Sequence, residues 1–477
     1  MYRDSYIGKI DDLLQSYIST GACSIFIGDQ DQLSRKIQAQ YRKVVNPLCR
    51  LHAAKPNLYP SSINASLKKL LSSSPTFPYL YGTIKTHKLD NPVRPICSPI
   101  QWYSHPLHKL CQFFLSAALQ SKLSCHNLSN INKLTDHLLQ LQPRPGYVLV
   151  TMAIREMYPS TRIPPLWDLL QFFMGQDWFK AACPIDVSML QSILDFILHK
   201  ANYFTFNGDL YQQHEGLPQG GGASGLLATI FLDAQIELNY NPLFLSHSVL
   251  AWWKYIDDVL LYMPSFSVSS FMDAFPRLIG YDVTYTVEKP DLKYSVYPCV
   301  AYLDHRIFQS SHAFLVNVYH KSTESMRLTH YTSHTSIKVK QSVLSTHLRR
   351  VFYRTSDTFL SVDLADCLVR FYTNGYPQYL VHSELEKLLT NYNEPYGQPL
   401  TSYRRSLISK FLYPYGLPNG HIYPSLFNPT SQPKLYRRSI VFSCEDFVKI
   451  LHHALHKIDG SVPTFSKAKS LFSALHM

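Results

Sequence analysis

Two adjacent acids, Asp257 and Asp258, sit in the stretch AWWKYIDDVLLYM that runs from Ala251 to Met263. Trp252, Trp253 and Tyr255 precede them, and the apolar run Val259 to Tyr262 follows. That composition predicts a hairpin: strand, tight acidic turn, strand. Such a turn lifts carboxylates off a sheet surface, where they can hold a divalent cation. A lone Asp-Asp pair is also what a solvated turn looks like, so its neighbours decide.

Several elements are placed to serve such a centre. Tyr79 to Ile84 and Val93 to Cys97 read as two short strands joined by a basic, turn-rich loop with Lys85, His87, Lys88 and Asn91-Pro92. A basic hairpin of this kind suits phosphates, with Arg94 as a forked donor. GYVLVTM, Gly146 to Met152, reads as a buried strand running on into AIREMYPSTRIP. Tyr203 to Tyr211 is a hairpin with Asn207-Gly208 at its tip. It leads into GLPQGGGASG, whose glycines open a helix that continues to about Asn239 and admit close approach of a flat or anionic ligand. This loop matches neither the P-loop nor the dinucleotide fingerprint.

Lys and Arg outnumber Asp and Glu 45 to 33, a net charge of +12, which points to a polyanionic partner such as nucleic acid. The 33 tyrosines and 26 phenylalanines could stack on bases or fill cores. Nine cysteines with no C-x-x-C pair exclude the usual zinc-finger spacing and fit free thiols in a reducing compartment. His105 and His108, in HPLH, lack acidic or cysteine partners and read as structural. No apolar run reaches membrane-spanning length. The N-terminus reads as an amphipathic helix and not as a signal or transit peptide, so a soluble, intracellular protein is expected, in nucleus or mitochondrion.

In order along the chain, YGTIKTHK with RPI, the strand-turn with Tyr158, GLPQGGGASG, YIDD and CVAYLD resemble the reverse transcriptases of Penelope-like elements, from about Pro75 to Pro377. The resemblance implies an α+β right-hand polymerase with fingers, a palm on a small antiparallel sheet, and a helical thumb. Apolar stripes such as Leu13, Leu14, Tyr17 and Ile18 make 1–74 an N-terminal helical region, and the resemblance implies fingers over 75–145, palm with the remaining fingers elements over 146–290, and primer grip and thumb over 291–401, leaving an extension over 402–477. It further implies an RNA template, a DNA primer, dNTPs and two Mg²⁺ ions, with Mn²⁺ as a substitute. Carried over by position, Lys85, Lys88 and Arg94 contact the triphosphate. Gln219 and Gly220 line the nucleotide site, and Asp257 ligates metal with Asp258 nearby. Ala301, Tyr302, Leu303 and Asp304 form the primer grip. Tyr158 packs under the sugar and disfavours a 2′-hydroxyl. Lys321 leads into the thumb. The basic run thereafter, with Lys338, Lys340, Arg349 and Arg350, suits a nucleic-acid backbone.

One position departs from that pattern. Two-metal nucleotidyl transfer needs carboxylates from two neighbouring strands. The second should stand where this chain has Ala153, in A-I-R-E-M-Y. Glu156 lies beyond the strand, in the turn. The expectation is therefore a polymerase silenced at one residue, with the intact remainder favouring an introduced Asp→Ala change over drift. The competing expectation is an RNA-binding scaffold that never catalysed. The tail from Ser402 lacks the paired motif of a GIY-YIG nuclease, an endonuclease-lacking form, and shows one helix near Glu445 to Ile458.

Overall fold

The computed structural model describes residues 3–73, 75–85, 91–119, 128, 131–236, 241–279, 285–290, 297–321, 327–390 and 402–412. These fall into two compact units, one within Met1–Ser129 and Gly146–Glu288, the other within Asn130–Pro145 and Lys289–Met477. The class is α+β, as expected. Lys88 and the helix expected near Glu445 to Ile458 lie outside the described residues.

The first unit holds two sheets. One is antiparallel, of order β7-β8-β4-β9, from β4 (Tyr147–Ile154), β7 (Ala251–Tyr255), β8 (Asp258–Pro264) and β9 (Tyr285–Glu288). The other has five strands in the order β1-β6-β5-β2-β3: β1 (Cys23–Ile25), β2 (Tyr79–Ile84), β3 (Val93–Ser98), β5 (Tyr203–Phe206) and β6 (Asp209–Gln213). Within the stretch expected to be helical over 1–74, β1 is a strand that pairs with β6 through Cys23↔Gln213 to Ile25↔Tyr211.

Helices α1 (Arg3–Ser19), α2 (Gln30–Ala54), α3 (Ser61–Leu71) and α4 (Ser104–Leu119) flank these strands in sequence. Asp29 starts α2 by accepting the Asp31 and Gln32 amides at 2.8 and 3.0 Å. The helix buries Ile37, Tyr41, Val45 and Leu48, spaced at one-turn intervals. Their core includes Trp102 and Phe114.

In the second unit, α5 (Ile131–Gln140) is followed in space by the antiparallel sheet β10 (Cys299–Tyr302), β11 (His305–Gln309) and β12 (Phe314–Val318). The sequence predicts a single strand over Cys299 to Ile307, but it breaks into β10 and β11, because Leu303 takes a left-handed φ of +56°. Back in the first unit stand α6 (Met157–Ser160), α7 (Ile163–Gly175), α8 (Asp177–Ala182), α9 (Val187–Asp195), α10 (Ser224–Gln235), α11 (Asn241–Ser246) and α12 (Val268–Ile279). The second unit closes with α13 (Ile337–Arg354), α14 (Asp357–Thr373), α15 (Gln378–Thr390) and α16 (Ser402–Leu412), packed on Leu348, Phe352, Leu364 and Phe371. Among the described residues no helix is long and apolar enough to cross a membrane, and the cysteines are free.

Candidate active site

The acidic turn forms as the sequence predicts. Tyr255 pairs with Asp258, leaving Ile256 and Asp257 as a two-residue loop between β7 and β8. Ile256 adopts φ +57°, a left-handed conformation that is costly for a β-branched side chain. One backbone contact reaches the tip. The Ile154 amide donates to the Asp257 carbonyl at 2.9 Å, tying the tip to the end of β4. Below it, Lys254 is fully buried and pairs with Asp233 of α10 at 2.8 Å. Burial pulls the Lys254 ammonium below its ordinary range, and Asp233 works against that pull.

Ala153 stands in β4 opposite Asp258 of β8 and Thr286 of β9. A methyl group therefore occupies the register position beside the acidic pair. Glu156 sits outside β4 at φ +52°, preceding α6, and its charge acts on Tyr17 of α1. Among the described residues no three His, Cys, Asp or Glu side chains gather to hold a metal. The residues present do not fit a pair of ions: both carboxylates come from one hairpin, and the neighbouring strand supplies none.

Charged and aromatic groups from several elements act on Asp257. Burial pushes the Asp257 carboxyl up from its ordinary value, while its own amide, Arg94 and Lys85 pull it down. Burial likewise raises the Tyr158 phenol, with Asp257 and Tyr255 adding to the rise and Arg94 opposing it. Charges from the β2–β3 hairpin, the turn after β4 and the β7–β8 tip are thus within electrostatic reach of one another. Arg94 is exposed and Lys85 half-buried.

The loop from Gly216 to Gly220 spans two of these elements. At one end Leu217 donates its amide to the Tyr158 carbonyl at 2.8 Å. At the other, the Cys97 amide of β3 donates to the Gln219 carbonyl at 2.9 Å. Gly220 lies at φ +123°, and a Cβ there would stand 2.4 Å from the Cys97 carbonyl oxygen. No other residue fits that approach. The expected helix is shorter than its glycine-rich start suggests: α10 begins at Ser224, and Gln219 to Gly222 form its entry loop. His108 lies buried behind that loop, its pKa pushed down to about 4 by burial and by His105.

In the second unit, Ala301 and Tyr302 lie in β10, and Leu303 and Asp304 make the β10–β11 turn. Asp304 accepts from Arg354 at 2.9 Å, with Arg350 at 3.1 Å and His305 Nδ1 at 2.8 Å beside it. Burial alone would raise its carboxyl, but these three partners hold it well below the carboxylate range. Arg350, expected on a nucleic-acid backbone, pairs with Asp304 and keeps about a third of its side chain exposed. Lys340, expected on the same backbone, is instead buried: it donates to the Ser333 carbonyl at 2.8 Å and lies over the Tyr331 ring. Lys321 and Lys338 are exposed, and Arg349 is half-buried.

Sequence reasoning missed the Lys254–Asp233 pair. Its one signal was a lysine amid WWKY, on a strand otherwise buried.

No protein-family model matches the sequence, and no curated protein matches it. Among solved structures, telomerase from Candida albicans in complex with a TWJ fragment of telomeric RNA is similar at 13% identity and a TM-score of 0.46, covering 74% of this chain and 60% of that one. Apo telomerase from Candida tropicalis is similar at 12% identity and a TM-score of 0.43, covering 67% and 61%. The Sicinivirus 3Dpol RNA dependent RNA polymerase is similar at 13% identity and a TM-score of 0.41, covering 69% and 71%. The chain thus spans about three fifths of the telomerase chains it matches.

Proposed function

We propose that this chain is a reverse-transcriptase-type polymerase of the Penelope-like kind, with its nucleotide site built and its metal site cut in half. One observation carries the reading: Arg94, Lys85 and Tyr158 converge on Asp257, while the strand position beside the acidic pair is Ala153. Cations act on a half-buried carboxylate, a tyrosine stands beside it and a glycine loop leaves room for a flat ligand. That is the equipment to place a nucleoside triphosphate against a primer end.

Each residue has a task that needs no ion. Arg94 offers a planar fork to phosphate oxygens and Lys85 a point charge. Tyr158, anchored through its own carbonyl to Leu217, presents a ring where a sugar would sit and selects deoxynucleotides by bulk. Gln219 is fixed by its carbonyl on β3, so its side chain starts from a set position. The substrates are an RNA template, a DNA primer and dNTPs. Catalysis is absent in this chain, because one strand alone cannot supply the ligands that two ions require.

The test is primer extension on an RNA template by Ala153→Asp beside the unaltered chain. Extension by the variant alone supports the polymerase. A variant that binds primer-template but adds no nucleotide favours the second reading, a non-catalytic RNA-binding scaffold, which Ala153 itself motivates.

A further inference from the structure

The hairpin that carries Lys85 and Arg94 has an open edge at its base. Lys85 donates its amide to the Pro92 carbonyl at 2.9 Å, which fixes the alternation of the β2–β3 ladder. Thr83–Arg94 and Tyr81–Ile96 then fall at bonded positions, and Gly82–Pro95 falls between them. The amide and carbonyl of Gly82 therefore point away from β3. On that side the register with β5 is at Tyr79–Thr205, three residues earlier.

Tyr6 of α1 fills the gap. Its hydroxyl accepts the Gly82 amide at 2.7 Å and donates to the Gly82 carbonyl at 3.2 Å. A phenol has one donor and spare acceptor capacity, so a single side chain serves both groups. A Cβ at position 82 would stand 2.1 Å from Val93 Cγ1 of the paired strand, and only in ordinary contact, 3.4 Å, with Ile10 Cδ1 of α1.

The same face of α1 continues through Ile10 and Leu14, both buried with Leu80, Phe204 and Tyr211. It ends at Tyr17, whose phenol is pushed well up by burial and further by Glu156. Glu156 immediately precedes α6, the short helix that carries Tyr158. One helix face therefore runs from the hairpin bearing the cations to the turn bearing the ring.

We propose that Tyr6 is a positioning residue: through Gly82 it holds the β2–β3 hairpin and sets where Lys85 and Arg94 stand relative to Asp257. The proposal rests on the nucleotide-site reading above. Tyr6 touches no reacting atom, and its effect passes through three residues of strand.

Tyr6→Phe keeps the ring and its packing and deletes the hydroxyl. In the unaltered full-length chain, hydrogen exchange at the Gly82 amide rises about tenfold, the loss of one hydrogen bond. In the Ala153→Asp chain, the same change raises KM for dNTP by about fivefold or more and leaves kcat within about twofold, as expected when ground-state binding is weakened. Unchanged exchange at Gly82 overturns the hold of α1 on the hairpin. Faster exchange with an unchanged KM overturns the link to the cations. If Ala153→Asp alone extends no primer, the polymerase reading falls and takes the nucleotide role of the cations with it. The hold on the hairpin is then decided by the exchange measurement alone.

Discussion

Ala153 and Asp258 face each other across the β4–β8 ladder, and the next residue of β4, Ile154, is bonded through its amide to the carbonyl of Asp257 at 2.9 Å. The backbone that would bring two strands' carboxylates together is therefore in place. A carboxylate at position 153 would enter beside two others, and like charges that close do not ionise together without a counter-charge. Ala153→Asp should therefore lower thermal stability in chelator and regain it with Mg²⁺, while the unaltered chain responds little. Thermal melts of both chains, with and without the ion, check this.

Gly220 joins the loop at Gln219 to β3. Gly220→Ala adds a Cβ 2.4 Å from a backbone oxygen at a φ of +123°, so the loop must lift off and break the Cys97–Gln219 bond. We expect a loss of about 2–3 kcal/mol, the sum of backbone strain and one hydrogen bond. Urea unfolding of the first unit measures it, and triphosphate binding should weaken in step.

The Lys254–Asp233 pair is fully removed from water on the lysine side. Breaking such a pair on one side strands a buried charge, at a cost of about 3–5 kcal/mol. Lys254→Met should reach that range. Lys254→Met with Asp233→Leu should recover most of the loss, because no charge is left unpaired. A double-mutant cycle by denaturant unfolding separates the two. Lys254 lies three residues before Asp257, so the single variant should also disturb the acidic turn.

Asp363 of α14 accepts the Val318 amide at 2.9 Å and the Thr355 hydroxyl at 2.8 Å, capping the open edge of β12. Burial pushes its pKa from 3.8 up to about 6, with Asp366 adding and its two hydrogen bonds and His320 opposing. A raised acid favours folding most when protonated. Its contribution is full below pH 3.8 and is lost as pH rises through about 6. A two-unit rise corresponds to up to about 3 kcal/mol. Asp363→Asn keeps an acceptor for Val318 and removes the charge, so the variant should gain on the parent between about pH 4 and pH 7. Unfolding free energies across that range give the difference directly.

The sequence made some of this legible and hid the rest for physical reasons. The acidic turn and the Asn207-Gly208 hairpin were readable because their strands carry strong patterns and their turns carry turn residues. β1 was not readable: three residues make no periodicity, and Cys23–Ile25 is a strand only because β6 lies beside it. The split of Cys299 to Ile307 was hidden because Leu303 holds a left-handed φ that leucine seldom adopts, so no glycine or asparagine announced the turn. Lys340 and Arg350 looked like a solvated basic face. Ser333, seven residues upstream, draws the Lys340 ammonium inward, and Asp304, far off in sequence, pairs with Arg350. Charge pattern reports what a helix carries, not what it meets. That Lys85 and Arg94 act on Asp257, and Asp257 on Tyr158, was not readable from spacing alone.

The most direct test compares three chains in single-turnover primer extension on an RNA template with Mg²⁺ and dNTPs. They are the chain with Ala153, Ala153→Asp, and Ala153→Asp with Asp257→Asn. The account predicts extension by Ala153→Asp alone, at least about a thousandfold above the other two, the scale of removing transition-state charge stabilisation. Binding of primer-template should be similar in all three. Equal inactivity of the three chains at equal binding would contradict it, and so would extension by Ala153→Asp that survives the loss of Asp257.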